Sequence, residues 1–139
     1  LDDAITLSEQ RSIASIFADK GEIYFRKKES EALAVILQKK HVVVATGGGT
    51  PCYATNMDHI VKHSTHSFYL KLSVSNLVSR IVAEKAHRPL VAAIDDADLE
   101  EFVRKHLFER SHFYNQALKT VDCDEKTIAQ IVNEIMHSI

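Results

Sequence analysis

The sequence predicts an α/β fold, with a parallel β-sheet flanked by helices. Three observations predict it. Val42, Val43 and Val44 form a β-branched apolar run that suits a strand buried on both faces of a parallel sheet. That run passes through Ala45-Thr46 directly into Gly47-Gly48-Gly49, and in open α/β sheets the loop after a strand's C-terminal end is where ligands sit. Two further strand-like segments, 67–72 (SFYLKL) and 119–123, are separated from it and from each other by stretches of helical periodicity. Strands joined through helices imply right-handed parallel crossovers. Three consecutive glycines remove every Cβ from one bend, so positive φ is open to the backbone and a ligand can lie on the amides. The same triplet would also serve as a tight connection with no ligand.

The first element is the least regular. Residues 1–7 read as the end of an extended segment followed by polar residues. Ser12 is placed to cap a helix carrying Ile13, Ile16 and Phe17 on one face, with Gly21 closing it. Residues 22–40 form a second helix whose stripe is Phe25, Leu33, Ile36 and Leu37. Arg26 and Glu29 lie three apart, share a face and can pair. After the valine strand and glycine bend, residues 56–62 form a short helix, and 67–72 the second strand. Ser73 or Ser75 caps a helix carrying Leu77, Val78, Ile81 and Val82. Arg88-Pro89 breaks helical periodicity and marks a charged surface segment. Asp95, Asp96 or Asp98 caps a helix over about 99–118, with Phe102, Leu107 and Phe108 as core. Asp124 caps a final helix that places Ile128, Ile131, Val132, Ile135 and Met136 in helical register. Three strands are few for this many helices, so strand material is expected before Leu1.

Composition bounds the function classes. The 139 residues amount to one domain, 45% apolar and 26% charged. A net charge of -2 gives no footprint for nucleic acid or an acidic membrane surface. No apolar run approaches the ~20 residues that span a bilayer, and no signal-peptide pattern appears. Cys52 and Cys123 lack ligand spacing, so reduced thiols in a cytoplasmic protein are expected. His59 and His63 have metal-ligand spacing on a helix but no third partner, and read as surface histidines.

Four segments carry a resemblance. GEIYFRKKE (21–29), VVATGGGTP (43–51), HRPL (87–90) and ERSHFYNQA (109–117) occur in the order and spacing of the shikimate kinases, which they resemble over nearly the whole chain. Those enzymes are small P-loop kinases of the nucleoside-monophosphate kinase type. The resemblance implies one domain over 1–139, a three-layer sandwich around a five-stranded parallel sheet. The strands read above would be its third, fourth and fifth. Leu1-Asp2 would end the second, with Asp2 and Ile5 fitting the last two positions of the family pattern Asp-x-Asp-x-x-Ile. The lid would span about 84–97.

The same resemblance implies roles. Arg26 and Arg110 would be the cations facing the shikimate carboxylate, since a planar guanidinium meets a carboxylate with two bonds and stays charged. Glu29 would hold Arg26. Asp2 would accept hydrogen bonds from ring hydroxyls and orient the attacking one. Gly47, Gly48 and Gly49 would present backbone N–H groups. Arg88, on the lid, would neutralise charge on the transferring phosphoryl group, and Arg80 would stack on adenine. On the residues alone each arginine also reads as a solvated helix charge, and Asp2 as a helix cap.

One departure is large. No G-x-x-x-x-G-K-[ST] occurs in the sequence, and that loop cradles the ATP phosphates and Mg²⁺. The expectation is that it lies upstream of Leu1, so that these residues alone are inactive and fold poorly. The implied reaction is phosphorylation of shikimate to shikimate 3-phosphate with ATP and Mg²⁺, in a cytoplasmic monomer with no metal held by these residues. The alternatives are another small-molecule P-loop kinase, such as a gluconate-type kinase, or a non-catalytic binding module.

Overall fold

A computed structural model of the chain describes residues 1–84 and 94–139. The Arg88-Pro89 segment, and with it most of the expected lid, lies outside the described residues. The rest falls into two compact units, Leu1–Ser67 and Phe68–Ile139.

The first unit begins with a helix, α1 (Asp2–Glu9), where the sequence reading expected an extended tail. Asp2 and Asp3 in its first turn suit the positive end of the helix dipole, and Gln10 closes it in the left-handed region. Local helix formation wins because Leu1 and Ile5 come together on one face and find apolar partners. α2 (Ile13–Ile36) starts at Ser12, whose hydroxyl accepts from the Ser15 N–H at 3.2 Å. Gly21 sits inside it at φ 80, ψ 175. It therefore breaks the direction of the helix, as its position predicts, while the hydrogen-bonded turns run on either side. The core of this unit joins Ile5, Ile16 and Phe25, with the Phe17 and Phe25 rings 4.6 Å apart. Leu33 is buried one stripe further along, whereas Ile36 and Leu37 are only half-buried.

The valine run is not a strand in this structure. Residues 42–46 belong to no helix or strand, no ladder pairs them among the described residues, and the Val43 side chain is fully exposed. β-branched sequence favours the extended backbone, but a strand exists only through a neighbour's N–H and C=O groups. A 3₁₀ turn (Thr50–Cys52) follows the glycines and leads into α3 (Asn56–His63).

The second unit is built on two parallel strands, β1 (Phe68–Lys71) and β2 (Lys119–Asp122), paired Phe68 with Lys119 through Lys71 with Asp122. Between them run α4 (Val74–Glu84) and α5 (Asp96–Tyr114). Leu99 and Val103 of α5 are buried against Val74, Leu77, Val78 and Ile81 of α4, with Phe102 and Leu107 packed around them. Phe108, expected in the core, is exposed. At 3.6 residues per turn it lies half a turn round the helix from Leu99. Val82 is likewise on the outer side of α4. α5 ends at Tyr114, earlier than expected, because residues 115–117 turn back on Ser111, Phe113 and Tyr114 carbonyls.

The last helix, α6 (Ile128–Met136), is capped by Thr127 rather than Asp124. The Thr127 hydroxyl accepts from Gln130 N–H, and the Gln130 side chain accepts from Thr127 N–H at 2.8 Å, a reciprocal capping box. The expected apolar register is present, yet α6 has no fully buried residue, and Ile128, Val132 and Met136 face outward.

Ser73 caps α4 as expected, its hydroxyl accepting from the Asn76 N–H at 3.4 Å, and Asp124 braces that cap. Its carboxylate accepts from Asn76 Nδ2 at 2.7 Å, from the Ser73 N–H at 3.0 Å and from the Ser73 hydroxyl at 3.1 Å. These bonds, the Asn76 bond foremost, hold the Asp124 carboxyl below the usual aspartate value. A depressed folded-state value means that Asp124 stabilises the fold above the ordinary aspartate range and loses that contribution as pH falls through the depressed value. Asp124→Ala is therefore expected to lower the melting temperature at pH 7. Thermal melts from pH 7 to pH 3 should show the gap to wild type constant down to about pH 4 and shrinking below it. A gap that stays constant to pH 3 would contradict the bracing role.

Candidate substrate-binding site

The most tightly organised polar group in the first unit surrounds Glu29. Its side chain is 1% exposed, so an ionised carboxylate there needs partners for both oxygens. It has them. Oε2 accepts from Arg26 Nη1 at 2.7 Å, and Oε1 accepts from the Thr50 hydroxyl at 2.6 Å. Both distances belong to the short range of charge-assisted bonds. Helical spacing places Arg26 one turn before Glu29, which is why the pair forms within α2. Glu22 adds a longer contact, 3.5 Å to Arg26 Nε.

The network continues into the glycine bend. Thr50 N–H donates to the Gly47 carbonyl at 3.1 Å. The Thr50 carbonyl accepts from Asn56 Nδ2 at 2.9 Å, and Asn56 Oδ1 accepts from the Ser30 hydroxyl at 2.9 Å. Ser30 follows Glu29 on α2, so α2, the bend and the start of α3 are stitched into one piece. Among the described residues no buried side-chain N or O atom is left without a partner.

The glycines act differently from expectation. Neither Gly47 nor Gly49 takes a positive φ. Gly49 matters for space. A Cβ there would stand 2.6 Å from Arg26 Cζ and 2.8 Å from Nη1, and would also strike Nη2. The guanidinium thus lies flat against bare backbone, held by Glu29, with Nη2 making no hydrogen bond among the described residues. The Gly48 carbonyl lies 3.6 Å from Cys52 Sγ. A fixed guanidinium with a donor to spare, beside a side-chain-free bend, is suited to a small molecule bearing a carboxylate.

Of the other expected site residues, Asp2 is exposed in the first turn of α1. The Leu1 backbone nitrogen donates to the Ala45 carbonyl at 3.0 Å, which ties the start of α1 to the segment entering the glycine bend. In the second unit, Arg110 is half-buried on α5 and makes no ion pair with the described residues. Arg80 is exposed on α4, where its charge adds a smaller attraction to Asp124. Arg88 lies outside the described residues. His59 and His63 meet edge to face at 5.9 Å, and no group of three metal-ligating side chains occurs among the described residues. Tyr114 stacks on Tyr69 at 5.1 Å, and burial pushes the Tyr69 hydroxyl up. Cys123 is buried, which raises its thiol.

The sequence reading missed Thr50, Asn56 and Ser30. Glu29–Thr50 and Ser30–Asn56 are long-range polar pairs, which leave no periodicity to read. The only available signal was a hydroxyl residue directly after three glycines.

The family model described as shikimate kinase matches residues 1–139. A shikimate kinase of Flavobacterium johnsoniae is 42% identical over 137 residues, covering 98% of this chain and 80% of its own. One from Flavobacterium psychrophilum is 41% identical over 97% of this chain and 79% of its own. Among solved structures, the shikimate kinase of Bacteroides thetaiotaomicron superposes with a TM-score of 0.86 at 27% identity, over 99% of this chain and 78% of that one. That of Acinetobacter baumannii, in complex with shikimate, gives 0.82 at 27% identity over 99% and 76%.

The structural matches, with parallel strands joined through helices, place the chain in the P-loop α/β class of small-molecule kinases. Within that class, the chain belongs to the shikimate kinase family. The family uses ATP as phosphoryl donor, and no helix among the described residues is long and apolar enough to cross a membrane.

The packing at Gly49 can be tested directly. Because the intruding atoms are the end of a flexible side chain, Gly49→Ala should fold with a melting temperature close to wild type while displacing the Arg26 guanidinium. The expected outcome is a rise in the KM for the carboxylated substrate of roughly tenfold or more, the equivalent of losing about 1.4 kcal/mol from a charged hydrogen bond. An unchanged KM would show that the guanidinium does not meet that substrate.

Proposed function

We propose that these residues form the acceptor side of an enzyme that carries out the ATP-dependent phosphorylation of shikimate at its 3-hydroxyl, giving shikimate 3-phosphate. The observation that carries the reading is family membership over the full 139 residues. The guanidinium held by Glu29 against Gly49 supports it physically. The 3-hydroxyl oxygen attacks the γ-phosphorus, the bond to ADP breaks, and the hydroxyl proton leaves to a nearby base. Catalysis of this kind rests on positioning and charge neutralisation.

In this reading Arg26 and Arg110 meet the shikimate carboxylate, and Asp2 accepts from ring hydroxyls and takes the proton of the attacking one. The N–H groups of Gly47, Gly48 and Gly49 line the substrate. Arg88, in a lid over about 84–97, neutralises the transferring phosphoryl group, and Arg80 lies against adenine. The protein is a single domain and a cytoplasmic monomer. Mg²⁺ would accompany ATP, but the described residues offer no ligand set that fits it, and the sequence contains no G-x-x-x-x-G-K-[ST]. The residues that do fit are those of the acceptor side.

Shikimate-dependent ADP release, measured against gluconate as a competing acceptor, tests the reading. Turnover of gluconate in place of shikimate, or nucleotide-independent shikimate binding with no ADP release, would overturn it. Two variants divide the labour. Arg26→Ala is expected to raise the shikimate KM by roughly two orders of magnitude, as loss of a charged bidentate contact does, with ATP binding unchanged. Arg88→Ala should lower kcat by roughly three orders of magnitude with little effect on shikimate affinity.

A further inference from the structure

We propose that Thr50 is a positioning residue for the acceptor site, fixing Arg26 through Glu29 and locking the guanidinium to the glycine bend. The inference rests on the reading of Arg26 as the cation that meets the substrate carboxylate. Thr50 is fully buried, and every polar atom it has is used. Its N–H goes to Gly47, its carbonyl receives Asn56, and its hydroxyl donates to Glu29 Oε1 at 2.6 Å. The last bond is the one with consequences. The terminal torsion of a glutamate is soft and roughly two-fold, so rotamer preference does not set the plane of its carboxylate. In Glu29 that plane is set by two bonds, one to Thr50 and one to Arg26. Without the hydroxyl, Oε1 is a buried acceptor with no donor, and the carboxylate is driven to rotate and share Arg26. The guanidinium then turns relative to the bend.

A fourth contact makes the coupling directional. Gly49, directly before Thr50, is the residue whose missing Cβ leaves room for the guanidinium. Thr50 therefore holds both sides of one fit: the carboxylate that aims Arg26, and the backbone that Arg26 lies on. Asn56 and Ser30 anchor Thr50 back to α2 through a second route, so the bend cannot drift from the helix that carries Arg26.

The test compares Thr50→Val, which keeps the shape and removes the hydroxyl, with Thr50→Ser, which keeps the hydroxyl and removes the methyl, both in the intact enzyme. T50V is expected to raise the shikimate KM roughly five- to tenfold, the size of one positioning hydrogen bond. Its kcat and its KM for ATP should stay within twofold, and T50S should stay within twofold of wild type throughout. A purely structural role would lower the melting temperature of both variants and leave the KM values alone, and that result overturns the proposal. So does an equal rise of KM in T50S, which remains informative if T50V does not fold. The ¹⁵N–¹H resonance of the Arg26 guanidinium gives a readout independent of turnover, and should move in T50V but not in T50S. If wild type releases no ADP with shikimate, the kinase reading fails. The resonance then still decides the present inference: an unmoved signal in T50V overturns it.

Discussion

A single buried carboxylate organises the first unit. Glu29 is nearly solvent-free, and each of its carboxylate oxygens has a partner, Arg26 on one and Thr50 on the other. Removing one partner of such a pair commonly costs about 3–5 kcal/mol, because the other charge is stranded. Replacing the whole group by apolar side chains would often cost nothing. A buried ion pair is thus a weak device for stability and a strong one for placing a charge. Here the placed charge is a guanidinium, laid against backbone that carries no side chain at Gly49.

The second unit solves a different problem with neutral packing. Leu99 and Val103 bury the seam between α4 and α5, and β1 and β2 run parallel beneath the connection. Just past β2, Asp124 accepts from the Ser73 N–H and from the Asn76 side-chain amide, and so holds the capping residue of α4 in place. One side chain therefore joins the last strand to the helix after the first. The cap, unlike the Glu29 group, sits where solvent can reach it, and it responds to pH.

Several apolar faces are turned outward in the described structure. Val43 and the Ile128, Val132 and Met136 face of α6 are the clearest. The last helix keeps the register its sequence predicts, whereas the valine run, expected as a strand buried on both faces, has no ladder partner among the described residues. Patterning, however, states only which side of an element is apolar. What covers that side depends on a second element arriving with complementary shape and, for a strand, with unpaired N–H and C=O groups.

The sequence by itself determined the fold class, the burial of Ile16 on one helical segment and of Phe25 and Leu33 on the next, the break at Gly21, the cap at Ser12 and the pairing of Arg26 with Glu29. All of these are local, set within one or two helical turns by backbone preference and by spacing. Tertiary structure alone decided the rest. It brought Thr50 to Glu29 and Asn56 to Ser30, exchanged the expected cap at Asp124 for one at Thr127, and gave Gly49 its reason for being glycine. It also turned 2–9 into a helix and left 42–46 without a ladder among the described residues. Each of those outcomes depends on a group distant in the chain supplying a hydrogen bond, an apolar face or an excluded volume, and none of these is encoded in the spacing of neighbouring residues.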